Sequence, residues 1–502
     1  MNIAESLSVL KVELLQEVVP QIVTLLQTGM DQGQAVHDVE KSLWDLLLGI
    51  GHQALAAFFQ AHGSGDLGET ITLPDGRETR RLDGLHNRSY VSIFGRFTLA
   101  RAVYGSREGQ AIDFVPLDNR LQLPAGAFSY VLQDWDQALA VEDAFSQVNT
   151  TIERMLHMRQ SVGSLETMNR QMAQDVADFR ELQPPPPAAE EGAIVVLSGD
   201  CKGIVIRGQG TPTGCGGERP GGARANQKRM ATVGAVYTIA PYERTPEDVV
   251  AALFRDENYQ AEPRPKPCHK HVWASLPVTG PPPETSINVT FDWLQWELAQ
   301  RNADGRRVTV TLFDGQEALW QASAERLPQE NTVGILDVLH VTPRLWGAAK
   351  LLLGDKSPLL VPFVRHKVWQ VLSGKVETVV RSLRQQGRDQ GLKGTKKKAL
   401  KRMCAYLWKN RARMRYDDYL RAGYPIASGV IEGACRHLVK DRMERAGMHW
   451  TIEGAQAMLD LRSVAICGQW EEYQVHRIEE EIAGLYPHRD LVAGEAFFAL
   501  AV

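Results

Sequence analysis

The chain has 502 residues, of which 44% are hydrophobic and 23% are charged, as is ordinary for a globular protein of several domains. Its six cysteines form no C-x-x-C pair, so the sequence supports neither a zinc ribbon nor a disulfide framework, and the cysteine usage fits a reducing cytoplasm. The net charge of −4 argues against DNA binding by the chain as a whole, so charge must be examined region by region.

The N-terminal part is predicted to contain three regions. Residues 1–67 repeat apolar side chains at helical spacing, and the interrupted apolar run 43–59 favours a buried amphipathic helix over a membrane span. Residues 68–126 include the alternating segment YVSIFGRFTLARAVYG and are predicted to be β-rich. Residues 127–181 return to helical spacing.

A helical pair followed by a linker is predicted next. Gly163 interrupts the helical period, and Ser164 is predicted to cap a second helix. This pattern fits a DNA-binding helix-turn-helix, and a plain helical hairpin fits it equally well. The segment 182–192, LQPPPPAAEEG, is predicted to be a stiff polyproline linker, with a new domain behind it.

Residues 193–350 alternate strand and helix patterns, which predicts an α/β core with helices against a sheet. AIVVLS and GIVIR are predicted as separate strands on either side of Asp200, and MATVGAVYTIA follows as a third. RRVTVTLF ends at Asp314, and TVGILDVLHV, which contains Asp337, is predicted to be a buried strand. The glycine-rich loop 208–217 matches neither dinucleotide-binding nor P-loop spacing, so no nucleotide cofactor is expected.

Positive charge is concentrated in one segment. Residues 365–415 contain sixteen Lys and Arg but only two acids, within a predicted helical region over 351–425. Such clustering in an acidic protein predicts a track for DNA phosphates, and a solvated helical face is the alternative. The side chains expected to contact DNA there are Lys396, Lys397, Lys398 and Arg402.

Three acids stand at the predicted ends of elements. Asp200 follows a core strand, Asp314 precedes Gly315, which would let the chain turn sharply, and Glu432 lies in the first turn of a helix that Ser428 could cap. Each acid alone is typical of a turn or a cap, but their order and spacing together favour a shared site.

Two basic residues are predicted to accompany the glutamate. On a regular α-helix, Arg436 and Lys440 follow Glu432 at i+4 and i+8 and therefore share its face. They would bind a phosphate beside the acids, and a row of surface ion pairs is the alternative.

Five stretches of the chain together carry a family resemblance. GDCKGIVIR, KRMATVGAVYTIAPYERTPEDVV, LFDGQEALW, LDVLHVTPRLWGAAK and SGVIEGACRHLVKDRMERAGMHWTIEGAQAMLDLR resemble the bacterial insertion-sequence transposases of the Kra type, which are distantly similar to the Mutator-like superfamily. The resemblance covers about residues 80–470. It implies an RNase H-like mixed sheet, a basic helical insertion at 351–425, closure of the core by 426–502, and N-terminal helical DNA-binding regions.

The resemblance also implies a chemistry. Asp200, Asp314 and Glu432 match the three acids of a DDE transposase, which would hold two Mg²⁺ or Mn²⁺ ions, cut DNA at element ends and join the freed 3′-hydroxyl to target DNA. Two departures stand out in this chain. Cys201 replaces the usual glycine, and GSREGQ at 105–110 stands where relatives often carry a zinc knuckle, so a zinc site there is not expected.

The second metal-binding aspartate has two candidates. Asp314 ends a strand and is followed by glycine, whereas Asp337 with His340 resembles the auxiliary Asp/Cys-x-x-His element of Mutator-like enzymes. Asp337 could pair with His340, or it could form a hydrogen bond that orients a metal ligand without binding the metal itself.

The expected partners are DNA and further copies of the chain, without a membrane, in the bacterial cytoplasm at the nucleoid. A nuclease that no longer transposes and a domesticated DNA-binding protein without catalysis are the alternatives.

Overall fold

The computed structural model describes residues 18–106, 112–207, 226–257, 259–260, 262–278, 281–445 and 447–492. The predictions for residues 1–17, for the loop 208–217 and for most of 105–110 fall outside the described residues. The chain forms two compact units: an N-terminal unit of Met1–Asp175 with Trp470–Val502, and a central unit of Val176–Gln469.

The helices and strands are labelled in chain order. The strands are β1 (Thr70–Thr72), β2 (Glu78–Arg81), β3 (His86–Ser92), β4 (Gly95–Arg101), β5 (Tyr104–Gly105), β6 (Ile112–Phe114), β7 (Ile194–Arg207), β8 (Asn226–Ile239), β9 (Cys268–Ser275), β10 (Val308–Phe313) and β11 (Thr332–Leu336). The α-helices are α1 (18–31), α2 (Val36–Ala61), α3 (Pro116–Leu121), α4 (Tyr130–Ala140), α5 (Phe145–Leu156), α6 (Val162–Met172), α7 (Val176–Leu182), α8 (Pro246–Phe254), α9 (Ser286–Arg301), α10 (Glu317–Arg326), α11 (Val338–Leu353), α12 (Leu360–Leu372), α13 (Val376–Asp389), α14 (Gly394–Asn410), α15 (Tyr416–Arg421), α16 (Gly429–Ala434), α17 (Asp441–Met443), α18 (Ile452–Ile466) and α19 (Trp470–Leu485). A π-helical segment, Cys435–Lys440, joins α16 to α17.

The N-terminal unit contains two small sheets, one in the order β1-β2-β5-β6 and the other the hairpin β3-β4. Helix α2 is mostly exposed, and Phe59 is its one buried residue, so the expected burial of 43–59 is wrong. Phe59 packs edge-on against Tyr90 and Phe97, which attaches the end of the helix to the β3-β4 hairpin. By length and composition alone, α2 could cross a membrane, which is weak evidence for a span.

The helical pair predicted around residue 163 is present, but its cap lies earlier than expected. Helix α6 begins at Val162, and the side chain of Ser161 accepts the backbone N–H of Ser164 at 2.9 Å. Gly163 and Ser164 therefore lie in the first turn rather than before it. Ser161 is also a residue type that is favoured at an N-cap. The sequence predicts the cap three residues later, at Ser164, because Gly163 interrupts the helical period there.

The central unit is built on a five-stranded mixed sheet in the order β11-β10-β7-β8-β9. Strands β7, β8 and β9 are antiparallel, whereas β10 and β11 run parallel to β7. A mixed sheet with helices against it is therefore confirmed. AIVVLS and GIVIR are not two strands but the two halves of β7, and β9 was not among the predicted strands.

The helical segment over 351–425 shares its core with this sheet. One continuous apolar cluster includes Val196 of β7, Leu345 of α11, Val368 of α12 and Leu407 of α14. Because these side chains are buried in a single core, helices α11–α15 are held firmly against the sheet rather than attached through a flexible hinge.

The end of the proline segment is also anchored to the central unit. The side chain of Glu191 is buried and pairs with Arg301 at 3.3 Å and with Arg307 at 3.2 Å. Pro184, Pro185 and Pro186 lie beside a small cavity whose lining includes the aromatic ring of Trp293.

Candidate active site

Three aspartates lie side by side at one edge of the central sheet. Phe313 of β10 pairs with Gly199 of β7 and with Leu336 of β11, so the next residue of each strand is an aspartate. These are Asp200, Asp314 and Asp337. Carboxyl ends of parallel strands are the usual place for a site in an open sheet. Strand β7 continues past this edge, so Asp200 lies inside the strand, where it pairs with Val233 of β8, and not after it.

Asp200 is engaged by three neighbours. One carboxylate oxygen accepts the backbone N–H of Cys201 at 2.7 Å, and the other lies 3.1 Å from Nζ of Lys202 and accepts the Sγ–H of Cys435 at 3.4 Å. Neither Lys202 nor Cys435 was singled out from the sequence. Lys202 could have been, since residues i and i+2 of a strand share a face.

The electrostatics of this group keep the lysine charged and the thiol neutral. Burial lowers the pKa of Lys202, but the hydrogen bond and charge of Asp200 outweigh it, with a further contribution from Glu432, so that the pKa is raised. Burial raises the pKa of the Cys435 thiol well above its ordinary value, and the charge of Asp200 adds to this.

Asp314 keeps part of its carboxylate available. Its Oδ1 accepts the backbone N–H of Gln316 at 2.7 Å, whereas Oδ2 has no hydrogen-bond partner among the described residues. The following glycine is required for space and not for a sharp turn, because Gly315 does not have a positive φ. A Cβ at this position would lie 2.2 Å from Cε2 of Tyr406.

Asp337 is fully used in holding two helices. It is only 2% exposed, its Oδ1 accepts the N–H of Leu339 at 2.8 Å as the N-cap of α11, and its Oδ2 accepts the N–H of Ser428 at 3.3 Å. The predicted continuous strand through Asp337 is wrong, because β11 ends at Leu336 and α11 begins at Val338. Burial raises the pKa of Asp337, and the negative charge of Glu432 raises it further. The two N–H donors and the charge of His340 lower the pKa, but the net shift is upward.

Glu432 is brought to the same edge by Ser428. The Ser428 hydroxyl accepts the N–H of Ile431 at 3.3 Å, which caps α16, and donates to Ser198 Oγ of β7 at 3.3 Å. Glu432 itself is exposed, and its charge acts on both Lys202 and Asp337. The predicted cap and first-turn glutamate are therefore present, with a direct tie between the helix and the sheet.

The helix beyond Glu432 departs from the predicted regular geometry. Residues Cys435–Lys440 are π-helical, so the i+4 and i+8 spacing from Glu432 no longer follows one face. Arg436 and Lys440 are exposed, and Arg436 lies 3.5 Å from a carboxylate oxygen of Asp441. The argument that put both residues on the glutamate's own face assumed a continuous α-helix and does not hold here.

The donors of this cluster suit a hard metal ion in chemistry but do not converge on one point. Carboxylate oxygens are the ligands that Mg²⁺ prefers. Among the described residues, however, no three His, Cys, Asp or Glu side chains are arranged so that they could hold a metal ion. In this arrangement, Asp200 is paired with Lys202, while Asp314 has a free oxygen.

The basic segment divides into paired and unpaired residues. Some of its charges serve the protein itself: Arg365 pairs with Asp256, and Lys409 lies 2.7 Å from Glu317. The cluster on the first turns of α14, by contrast, is exposed and has no acidic partner among the described residues. It consists of Lys396, Lys397, Lys398 and Arg402, of which Lys398 and Arg402 line a surface groove.

Comparisons with known proteins do not place the chain in a family. No family model matches it, and no curated protein matches it. Among solved structures, the Drosophila P element transposase strand transfer complex is similar at 11% identity and a TM-score of 0.24, over 76% of this chain and 91% of that chain. At this TM-score the similarity carries no argument for a shared fold or activity.

Proposed function

We propose that the chain is a DDE transposase of a bacterial insertion sequence, of the Kra type that its sequence resembles. The observation that carries the proposal is the common register of Asp200 and Asp314, with the Glu432 helix tied to the same sheet edge through Ser428. These acids come from separate parts of the chain and lie along the same sheet edge, which supports the triad that the resemblance implies.

An RNase H-like core is part of the proposal. The resemblance calls for a mixed sheet, and the central unit has three antiparallel strands, β7 to β9, with β10 and β11 added beside β7 in parallel. The helical insertion ahead of the final glutamate corresponds to α12–α15. This order of elements supports the proposed core independently of any single residue.

Asp200, Asp314 and Glu432 would hold two Mg²⁺ or Mn²⁺ ions. When bound, such ions activate the attacking hydroxyl and stabilise the leaving oxygen of a phosphodiester. Asp337 is assigned a positioning role, because both of its oxygens accept backbone N–H groups. We therefore propose Asp314 rather than Asp337 as the second metal-binding aspartate, with Asp337 and its neighbour His340 in a supporting position.

The partners follow from charge. We assign DNA phosphates to the unpaired cluster on α14, and Arg436 and Lys440 remain candidates for contacts near Glu432. A homo-oligomer acting on nucleoid DNA in the cytoplasm is proposed from the resemblance. Binding to a membrane is not proposed, since the end of α2 is packed against strands of its own unit.

The experiment uses the full-length protein, Mg²⁺ and linear DNA that carries the sequences flanking its own gene. We expect strand cleavage that leaves a 3′-hydroxyl, followed by joining to a target plasmid. Asp200→Asn, Asp314→Asn and Glu432→Gln should each abolish cleavage while DNA binding is retained. Asp304→Asn is the matched control, because Asp304 is an exposed aspartate that pairs only with a neighbouring arginine.

Two outcomes would overturn the proposal in different ways. Cleavage without joining would favour the nuclease alternative. Specific DNA binding without cleavage in either Mg²⁺ or Mn²⁺ would favour a DNA-binding protein that lacks catalysis.

A further inference from the structure

Tyr406 connects the helical insertion to the acids of the sheet edge. It lies on α14, and its ring packs so closely on Gly315 that only glycine fits there: the nearest ring atom would be 2.2 Å from an added Cβ. The guanidinium of Arg344, on α11, stacks on the same ring at 3.5 Å from its centroid. The ring is therefore fixed next to Asp314 by two other elements of the central unit.

The hydroxyl of this tyrosine has no acceptor for its proton in the part of the chain that the structure describes. Tyr406 Oη is buried and has no hydrogen-bond partner among the described residues. A buried hydroxyl without a partner is costly, so such groups in a folded protein call for an explanation. Burial raises the pKa of Tyr406, and the charge of Arg344 lowers it. The negative charges of Asp314 and Asp337 raise this pKa further, which is consistent with both carboxylates lying near the ring.

The surroundings favour an anionic acceptor. Arg344 is exposed and has no acidic partner among the described residues, so its charge is available beside the hydroxyl. Along α14, Lys398, Arg402 and Tyr406 follow at intervals of four residues and therefore lie along one side of the helix. A row of two basic side chains and a tyrosine thus leads from the exposed start of α14 towards Asp314.

We infer that Tyr406 and Arg344 form a phosphate-binding pair for the DNA strand that enters the site at Asp314. The tyrosine hydroxyl donates a hydrogen bond to a phosphate oxygen, and the guanidinium supplies the opposite charge. This inference rests on the proposed function, since it assumes that DNA is the substrate. It also gives the helical insertion a direct part in the site, beyond a general attraction to DNA.

Binding of a fluorescent duplex to the full-length protein tests the pair without any cleavage step, in Ca²⁺ and over a range of salt concentrations. Tyr406→Phe keeps the ring on Gly315 and removes only the hydroxyl. It should weaken binding by about three- to tenfold, with the salt slope unchanged, because one neutral donor is lost. Arg344→Gln should reduce the slope by about 0.9, the effect of one lost phosphate contact.

Matched controls separate this effect from general damage. Tyr242→Phe removes a hydroxyl bonded to a backbone carbonyl, and Arg421→Gln removes an arginine already paired with Asp417 and Asp418; neither should alter affinity or slope. Gly315→Ala should reproduce the Tyr406→Phe loss of affinity, because the added Cβ displaces the ring together with its hydroxyl while the Asp314 side chain is kept.

DNA binding by the variants tests the inference, whereas cleavage tests the proposed function, so the two can fail separately. If Tyr406→Phe and Arg344→Gln bind DNA like the wild type while Asp314→Asn abolishes cleavage, the pair is wrong and the function stands. If the wild type cleaves no DNA but both variants show the expected binding losses, the pair stands as a DNA contact and the transposase proposal fails.

Discussion

Asp314 and Asp337 are neighbours in the sheet, yet the structure predicts opposite consequences for their loss. In Asp337→Ala, helix α11 loses its N-cap, which costs about 0.5–2 kcal/mol. The buried N–H of Ser428 also loses its acceptor, which costs about 1–3 kcal/mol. We therefore expect Asp337→Ala to lower the free energy of unfolding by about 1.5–5 kcal/mol. Asp314→Ala loses a single bond, to Gln316 in a partly exposed turn, and should cost about 1 kcal/mol or less.

The assay compares stability with activity in the same two variants. Urea unfolding gives the stability, and hydrogen exchange of the peptides that contain Leu339 and Ser428 shows whether the loss is local. Asp337→Asn keeps one acceptor oxygen and should be intermediate in stability, with substantial cleavage retained, whereas Asp314→Asn should be stable and inactive. The reasoning is refuted if Asp314→Ala proves the more destabilising change, or if Asp337→Ala leaves exchange at Leu339 and Ser428 unaltered.

Two further predictions concern other parts of the chain. Burial raises the pKa of Asp136 from its ordinary value of 3.8 to about 7, and among the described residues its oxygens accept only from Gln160. Because the folded-state pKa is the higher one, the stability that the protonated group contributes is fully present below about pH 4 and is lost as the pH rises from there through about 7. Asp136→Asn should therefore remove part of the fall in melting temperature between about pH 4 and 7, and an unchanged pH profile would show that the carboxyl does not titrate as described. Replacing Lys397 and Lys398 with Gln should reduce the salt slope of DNA binding by about 0.9 per lost contact, whereas Lys409→Gln, which breaks an internal pair, should leave the slope unaltered; equal effects would mean that pairing does not decide which lysines bind DNA.

The order of the acids could be predicted from the sequence, but their local backbone could not. GDCKG between the two halves of β7 looks like a break, because glycine, aspartate and lysine are poor strand formers. The strand nevertheless continues, since β8 pairs with it along all 14 residues. At Asp337 the sequence predicted a continuous strand where the structure has a break. The apolar run fits a strand, but its second half is helical because Asp337 caps α11.

The division of the basic segment also lay beyond the sequence. Sixteen similar charges give no local sign of which have partners, because those partners are remote in the chain. Arg365 pairs with Asp256, and Tyr406 meets Gly315, across separations that only the folded core defines. The phosphate track therefore stays a prediction from composition, and within the described residues the structure shows that the exposed basic residues at the start of α14 have no acidic partner.

The π-helical segment after Glu432 could not be predicted from sequence patterns, because a buried arginine from a distant helix stabilises it. Arg462 of α18, 2% exposed, donates to the carbonyl oxygens of Leu438 at 3.0 Å and of His437. A guanidinium can satisfy several carbonyls at once, which an ammonium cannot do with the same geometry.

We predict that Arg462→Met, which keeps much of the side-chain bulk, will leave these buried carbonyls without donors and destabilise the segment by about 2–4 kcal/mol. Hydrogen exchange over 429–443 should then become faster and cleavage should fall, because Glu432 is held by the same helix, while DNA binding through α14 should persist. Arg462→Lys should be intermediate, and Arg436→Gln, an exposed change in the same segment, should leave exchange unaltered. If Arg462→Met retains wild-type protection over 429–443, the arginine does not support the π-helical turn, and the position of Glu432 must depend on Ser428 and Asp337 alone.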